Sequence, residues 1–169
     1  MARKAFTVDE ANALLGEMEE VFRTVDGLRQ RLRQDRDRLK ILDVLWGDAL
    51  EDQENPDRRE YLQLQGAVDA ATHQLEGLIR KEILDRGIRF PPGALEHGLL
   101  DFPTTYRGRW VFLCWRRGEP RIVAWHELQA GFRGRRRLTH EQALEMGRGP
   151  DAPPSEDPSE GPSPPPGRT

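Results

Sequence analysis

The chain has few cysteines, few lysines and no long apolar runs, and these shortages exclude whole classes of protein. It has 169 residues, about the size of one domain, and a single cysteine, Cys114. One cysteine cannot form an internal disulfide, and we expect no thiolate zinc site and a reducing, cytoplasmic location. No apolar run approaches the roughly 20 residues of a membrane-spanning helix, so no membrane association is expected. No apolar stretch follows the basic residues near residue 1, so we expect no secretory signal.

Charge is abundant but unevenly distributed. Charged residues make up 33% of the chain, and the net charge is -3. Residues 104–140 contain nine arginines against only Glu119 and Glu127, a balance of +7. Residues 1–103 carry -6 and residues 141–169 carry -4, and only three of the 26 basic residues are lysines. The high charge favours elongated helices with solvated faces, and the basic block is a candidate binding surface.

A long amphipathic helix is predicted from residue 7. Thr7 and Glu10 have the spacing of a capping box, in which each side chain accepts a hydrogen bond from the other residue's backbone amide. After them, apolar residues recur every three or four positions as far as Trp46, over five heptads. A stripe this narrow is typical of a helix that packs against another helix, as in a coiled coil.

A second helix is predicted from residue 57 or 58 to residue 85, after a polar loop that contains Asn55-Pro56. Its apolar stripe also has heptad spacing, and Gly87 follows as a left-handed cap. A short connection makes two amphipathic helices antiparallel neighbours. Residues 1–86 are therefore predicted to form a long helical hairpin that self-associates through its seam.

Residues 87–140 are predicted to form a small antiparallel β module. Its strands are expected at residues 88–90, 99–102, 110–115 and 121–127. The last two flank a turn that contains Gly118 and form a hairpin, and Pro103 ends the second. The module is too short to bury a core of its own, so we expect it to pack on the base of the helical hairpin.

The C-terminal residues differ in composition from the rest of the chain. From residue 149 onward, eight of 21 residues are proline, with serines and acidic residues between them. Residues 141–169 are therefore predicted to be a disordered tail. The predicted fold class is α+β: a coiled-coil-like antiparallel helical hairpin, a small β module and this tail.

A string of short motifs runs through the β module. It consists of Gly98-Leu99, Asp101-Phe102-Pro103, Leu113-Cys114-Trp115, Gly118-Glu119, Trp125-His126-Glu127 and Gly131-Phe132-x-Gly134-Arg135. The string resembles the bacterial domain-of-unknown-function family 2203, and the opening Phe6-Thr7 with Glu10-Ala11-Asn12 is also similar to that family. The resemblance covers residues 6 to about 138. It implies a helical hairpin with a small β unit, and it carries no known activity.

Cys114 and His126 are the candidates for nucleophilic chemistry, and the register of the β-hairpin decides whether they can cooperate. If Arg116 lies opposite Arg121, His126 points away from Cys114. If Arg117 lies opposite Arg121 instead, Cys114 and His126 share a face. No third orienting group and no oxyanion site are visible, so no catalytic residue is assigned. A buried cysteine that acts as a small hydrophobe is the simpler interpretation.

A metal or ligand site has to compete with ion pairing. The four histidines show no paired ligand spacing. Asp101, Glu119, His126 and Glu127 form a metal or small-ligand site only if the loops bring them together, and an enzyme would add Cys114 and Arg135. The many nearby arginines make ion pairs the default for these carboxylates. No metal and no cofactor are therefore predicted.

The segment rich in tryptophan and arginine is the predicted contact surface. The candidate ligand- or partner-binding residues are Asp101, Trp115, Glu119, Trp125, His126, Glu127, Arg133 and Arg135. The leading hypothesis is an interaction or scaffold protein, dimeric through its helices, with an unidentified protein partner. The alternative is RNA or DNA binding through residues 131–137, GFRGRRR, where arginines would contact phosphates and Phe132 would stack on a base.

Overall fold

The structure, a computed structural model, describes residues 4–148 and confirms the α+β class. The α-helices are α1 (Val8–Trp46), α2 (Arg58–Glu82), α3 (Ala94–His97) and α4 (His140–Glu145). The strands are β1 (Leu99–Tyr106), β2 (Arg109–Arg116), β3 (Ala124–Glu127) and β4 (Arg136–Arg137). Within residues 4–148, no helix is both long enough and apolar enough to cross a membrane.

The chain divides into two compact units. The helical unit is Glu17–Arg86, and the sheet unit contains residues 4–16 and 87–148. Their charges differ in sign: the helical unit has 17 acidic and 12 basic residues, whereas the described part of the sheet unit has 8 acidic and 12 basic residues. An excess of positive charge on the sheet unit favours anionic ligands there.

Helix α1 begins at the predicted capping box. The Glu10 carboxylate accepts a hydrogen bond from the Thr7 amide at 2.8 Å, and the Thr7 hydroxyl accepts one from the Glu10 amide at 3.1 Å. These two bonds satisfy amides that have no partner inside the helix. The predicted start is therefore confirmed.

The helical unit is an antiparallel hairpin, as predicted. Near its turn, Arg38 of α1 donates to both carboxylate oxygens of Glu60 of α2, at 2.7 and 2.9 Å. At the other end, Arg86 pairs with Glu17. Helix α2 stops at Glu82 and a 3-10 turn follows, so it is shorter than predicted. The buried apolar residues of this unit are Met18, Val21, Phe22, Val25, Leu28, Leu32, Leu42, Leu50, Ala71 and Ile83.

The sheet unit is built on a four-stranded antiparallel sheet of order β1-β2-β3-β4. Strands β1 and β2 are joined by a two-residue turn, Arg107-Gly108, in which both residues have positive φ angles of 50° and 74°. This is the pattern of a type I′ turn, whose twist matches that of the strands it joins. One face of the sheet packs on Phe6, whose ring meets that of Phe102 edge to face at 5.4 Å.

Three strand predictions were wrong, and the first two have a clear physical reason. Pro103 does not end β1, because its carbonyl accepts from the Phe6 amide and its nitrogen therefore faces away from β2. Proline is tolerated in an edge strand when no ladder bond is lost. The strand expected at 121–127 is only β3, since the Ile122 amide donates to the Asn12 side chain at 2.7 Å instead of to the sheet. The strand expected at 88–90 is a single bridge between Arg89 and Asp101.

The tail does not begin at residue 141, which corrects that prediction. Helix α4 spans His140–Glu145 and starts with a capping box between Thr139 and Gln142. Met146 after it is fully buried, and the Gly147 amide donates to the Thr105 carbonyl at 3.0 Å. The rest of the predicted tail, residues 149–169, lies outside the described residues.

Replacing Gly147 with alanine is expected to lower the free energy of unfolding by about 2–4 kcal/mol. Gly147 has φ +74°, and a Cβ there would lie 2.5 Å from the Phe6 carbonyl oxygen. Urea denaturation followed by circular dichroism measures the change. The matched control is Gly16→Ala in α1, where a Cβ meets nothing within 4 Å, so it should be neutral or stabilising. Equal effects of the two substitutions would contradict this packing.

Candidate functional site

The sheet register places three reactive side chains on one face. Asp101 of β1 lies opposite Cys114 of β2, and Cys114 lies opposite Ala124 of β3. Because side chains alternate along a strand, His126 shares the face of Ala124 and hence of Cys114. The register of β2 and β3, extended toward their connecting turn, places Arg117 opposite Arg121. The two alternatives for the hairpin are thereby resolved.

Asp101, Cys114 and His126 form a buried cluster, called here the Asp-Cys-His cluster. Their side chains each offer one possible metal-ligand atom, and these atoms lie within 4.8 Å of one another. The His126 Nε2 atom is 3.2 Å from Asp101 Oδ1. All three residues are at most 2% exposed. Buried polar groups need hydrogen-bond partners, so these three side chains must bond to one another or to a bound ligand.

The orientation of the His126 ring is fixed by the backbone. Its Nδ1 atom lies 2.9 Å from the Glu127 carbonyl oxygen, and since a carbonyl only accepts, Nδ1 carries a proton and donates. Nε2 therefore faces Asp101. Burial lowers the pKa of His126, but the bonds to Asp101 and to the Glu127 carbonyl outweigh burial and raise that pKa above its ordinary value. When no metal ion is bound, a proton shared between His126 Nε2 and the Asp101 carboxylate holds these two side chains together.

Cys114 is a poor nucleophile in this setting. Burial raises the pKa of its thiol from 9.0 to about 12, and the negative charge of Asp101 adds to the increase. His126 Nε2 is hydrogen-bonded to the Asp101 carboxylate and not to the Cys114 thiol, so it does not act as a base for Cys114. A cysteine–histidine nucleophilic pair is therefore not supported, because a reactive cysteine needs a lowered pKa.

Alkylation of Cys114 by iodoacetamide at pH 8 is expected to be about a thousandfold slower in the metal-free folded protein than in urea. A pKa raised from 9.0 to about 12 reduces the thiolate fraction by that factor, and burial slows access further. The folded-state rate should keep rising with pH beyond pH 9, whereas the unfolded-state rate should level off. Similar rates in the two states would show that the thiol is accessible and ionised.

A cleft of about 320 Å³ opens onto the cluster. Its walls include Asp101 and Cys114, together with Arg89, Leu128 and Phe132. The Arg89 guanidinium lies 3.6 Å from Asp101 Oδ2 and is 40% exposed. The cleft thus combines a buried carboxylate and thiol, a solvent-accessible cation and apolar walls. Such a mixture of apolar walls and a few convergent polar groups is typical of small-ligand sites.

Glu119 and Arg135 form a brace next to the cluster. One guanidinium nitrogen of Arg135 contacts both Glu119 carboxylate oxygens, at 2.7 and 2.8 Å, and lies 3.3 Å from the Cys114 carbonyl. The Trp115 indole donates to the Glu119 carbonyl at 2.9 Å. Glu119 therefore holds the β2–β3 turn and the cysteine backbone in place.

The family of the chain follows from a comparison with family models. The model described as "Uncharacterized conserved protein (DUF2203)" matches residues 4–138. The chain belongs to this family. The resemblance predicted from the motif string is thereby confirmed. No curated protein and no solved structure matches the chain significantly.

The structure of this DUF2203 chain brings together only part of the predicted site. Asp101 and His126 are in contact, whereas Glu119 is in the brace. Glu127 lies on the opposite face of the sheet from His126, and its carboxylate pairs with Arg136 at 3.1 Å. The four acidic and histidine residues therefore do not converge on one point.

The predicted aromatic and arginine candidates of the DUF2203 chain are also separated. Trp115 and Trp125 are buried on the face opposite the Asp-Cys-His cluster. Arg133 is exposed and has no ionic partner among residues 4–148. Arg135 points inward to the brace, while Arg136 and Arg137 alternate to opposite faces of the sheet. Residues 131–137 thus present no single continuous basic patch for a nucleic acid.

Arg89 and Cys114 of the DUF2203 chain line the cleft, but neither was predicted to be a binding residue. One signal was available for Cys114. Arg107-Gly108 is a two-residue turn between two β-like runs. A hairpin with this turn places Tyr106 opposite Arg109, and the same register places Asp101 opposite Cys114. No sequence signal places Arg89, because it reaches the site through an isolated bridge.

Proposed function

We propose that this protein binds one divalent transition-metal ion through Asp101, Cys114 and His126, and that the metal binds a small anion in the adjoining cleft. The observation that supports this most strongly is the cluster itself. A carboxylate, a thiol and an imidazole are all buried, and their ligand atoms lie within 4.8 Å of one another. These are three of the ligand types that bind zinc in proteins.

The distances in the cluster suit a tetrahedral ion. Bonds of about 2.0–2.1 Å from zinc to nitrogen and oxygen separate those two ligands by about 3.3 Å. His126 Nε2 and Asp101 Oδ1 are 3.2 Å apart. The backbone bond at His126 Nδ1 directs Nε2 toward Asp101, where a metal would replace the shared proton, as in many metal sites where the second ring nitrogen donates to a carbonyl.

Charge balance also favours a cation. A divalent ion with the carboxylate of Asp101, the thiolate of Cys114 and neutral His126 has no net charge, which suits a buried position. Arg89, 3.6 Å from Asp101, then leaves one positive charge at the mouth of the site. A small anion bound in the cleft would balance that charge.

Three protein ligands leave one position of a tetrahedral ion open, which is the pattern of catalytic rather than structural zinc sites. Asp101 and Cys114 line the cleft, so the open position faces it. Leu128 and Phe132 give the cleft apolar walls beside the cation Arg89. The ligand class is therefore a small anion with an apolar body. A thiolate ligand needs a reducing compartment, so a cytoplasmic location is part of the proposal.

Calorimetric titration of the full chain with Zn²⁺, after chelation, tests the proposal. We expect one site per chain with a dissociation constant below about 1 μM, proton release on binding, and at least a hundredfold loss of affinity in His126→Gln. His140→Gln is the control, because His140 starts α4 and is not in the cluster. No binding, or the same affinity in wild type and His126→Gln, would refute the metal site.

A second candidate function, self-association through the helical unit, has its own observation. Ile41, Val44 and Leu45 near the end of α1 are exposed, Val44 by 86%. Exposed apolar patches often mark protein contacts, so we infer a coiled-coil-like dimer as the scaffold form of the protein. Light scattering of the protein at tens of micromolar should give twice the mass of the chain, and the Val44→Glu variant should give the mass of a single chain. A wild-type monomer would contradict this second candidate.

A further inference from the structure

A second cavity lies on the other face of the sheet and is lined by aromatic rings and arginines. Its volume is about 550 Å³, within the usual range for small-ligand sites. We call it the aromatic–arginine pocket, and its defining residues are Tyr106, Arg107, Arg109, Trp110, Trp125 and Arg136. Trp125 and Arg136 are cross-strand partners, and both point away from the Asp-Cys-His cluster.

The pocket carries an excess of positive charge. Three guanidinium groups line it against a single carboxylate, that of Glu127. Glu127 pairs with Arg136 at 3.1 Å, whereas Arg109 is exposed and has no ionic partner among residues 4–148. Arg107 reaches Glu145 only at 3.9 Å, where both side chains are largely exposed. Surface pairs of this kind are weak, so an anion can compete for these arginines.

Two of the arginines are already positioned by aromatic rings. The Arg107 guanidinium lies 5.0 Å from the centre of the Tyr106 ring, and that of Arg136 lies 5.3 Å from the centre of a Trp125 ring. Tyr106 and Trp125 meet edge to face at 5.6 Å. Cation–π contacts restrict the arginines before any ligand arrives, which reduces the entropy lost on binding.

We propose that the aromatic–arginine pocket binds a small nucleotide, with its phosphate on the guanidinium groups and its base against the aromatic wall. Guanidinium groups match the geometry of phosphate oxygens, and the Tyr106 and Trp125 rings give the pocket an aromatic wall for a planar base. A long nucleic acid strand fits less well, because Arg136 and Arg137 lie on opposite faces of the sheet and the basic surface is not continuous. This proposal is independent of the metal site.

Tryptophan fluorescence and calorimetry with the full chain test the nucleotide site, and the probes are AMP, adenosine, inorganic phosphate and a single-stranded RNA 12-mer. We expect AMP to bind at least tenfold more tightly than adenosine or phosphate, because it alone uses both parts of the pocket. Arg109→Ala should weaken AMP binding at least tenfold. Arg121→Ala is the matched control: Arg121 is exposed in the same unit, lies outside the pocket, and its loss changes the charge equally.

Each other outcome overturns the nucleotide site. Equal affinity for AMP and adenosine shows that phosphate is not recognised. Equal weakening by Arg109→Ala and Arg121→Ala shows a general charge effect. Binding of the RNA 12-mer without binding of AMP assigns the basic residues to a nucleic acid strand, and no binding of AMP at millimolar concentration rejects the pocket as a nucleotide site.

Discussion

Replacing Cys114 with alanine is expected to weaken Zn²⁺ binding by at least about a hundredfold while leaving the metal-free protein folded. In the metal-free protein, the buried thiol acts as a small hydrophobic group, so its removal costs only about 1 kcal/mol. In the metal-bound protein, the same change removes the one thiolate ligand. The loss corresponds to about 2.7 kcal/mol or more of binding free energy.

Two measurements on the Cys114→Ala variant separate the loss of a ligand from a loss of fold. Calorimetry gives the zinc affinity, and chemical denaturation after chelation gives the stability. The control is Val111→Ala, which removes buried side chain from the same strand but on the opposite face. It should cost about 2 kcal/mol in stability and leave zinc affinity unchanged. If the Cys114→Ala variant bound zinc as tightly as wild type, Cys114 would not be a ligand of the metal.

Replacing Arg135 with alanine is expected to lower the free energy of unfolding of the sheet unit by about 2–4 kcal/mol. The Arg135 and Glu119 side chains are only 17% and 16% exposed, and their contact is 2.7 Å. Without Arg135, the Glu119 carboxylate stays in a poorly solvated position, where its remaining donor among residues 4–148 is the Arg116 amide, at 2.8 Å. The Cys114 carbonyl loses its contact as well.

The neighbouring residue supplies the control for the brace. Arg136 pairs with Glu127 at 3.1 Å, but both side chains are 58% exposed. Arg136→Ala should therefore cost at most about 1 kcal/mol. Adding Glu119→Leu to an Arg135→Met background should restore most of the loss, since a buried ion pair can be replaced by apolar contacts. Equal costs for Arg135→Ala and Arg136→Ala would show that the brace contributes nothing beyond a surface pair.

Local signals predicted the helical part of the fold well. The Thr7/Glu10 capping box and the heptad stripe to Trp46 define a helix from contacts within a few residues. The sheet was harder, because its strand ends depend on distant residues. The Asn12 side chain accepts a hydrogen bond from the Ile122 amide, and the Phe6 amide donates one to the Pro103 carbonyl. Neither bond can be predicted from residues nearby in the sequence.

The candidate site depended on register, which a sequence pattern fixes only weakly. A shift of one residue in the β2–β3 hairpin moves His126 to the other face of the sheet. The sequence therefore named Asp101, Cys114 and His126 as candidates but could not join them. It also grouped Glu119 and Glu127 with them, and the structure places those two carboxylates with Arg135 and Arg136.

X-ray absorption spectroscopy of the zinc-loaded full chain tests the metal centre most directly. The predicted spectrum shows one sulfur ligand at about 2.3 Å and three nitrogen or oxygen ligands at about 2.0–2.1 Å, with the sulfur contribution absent in Cys114→Ala. A spectrum of the wild-type protein with nitrogen and oxygen ligands alone would contradict coordination by the Asp-Cys-His cluster.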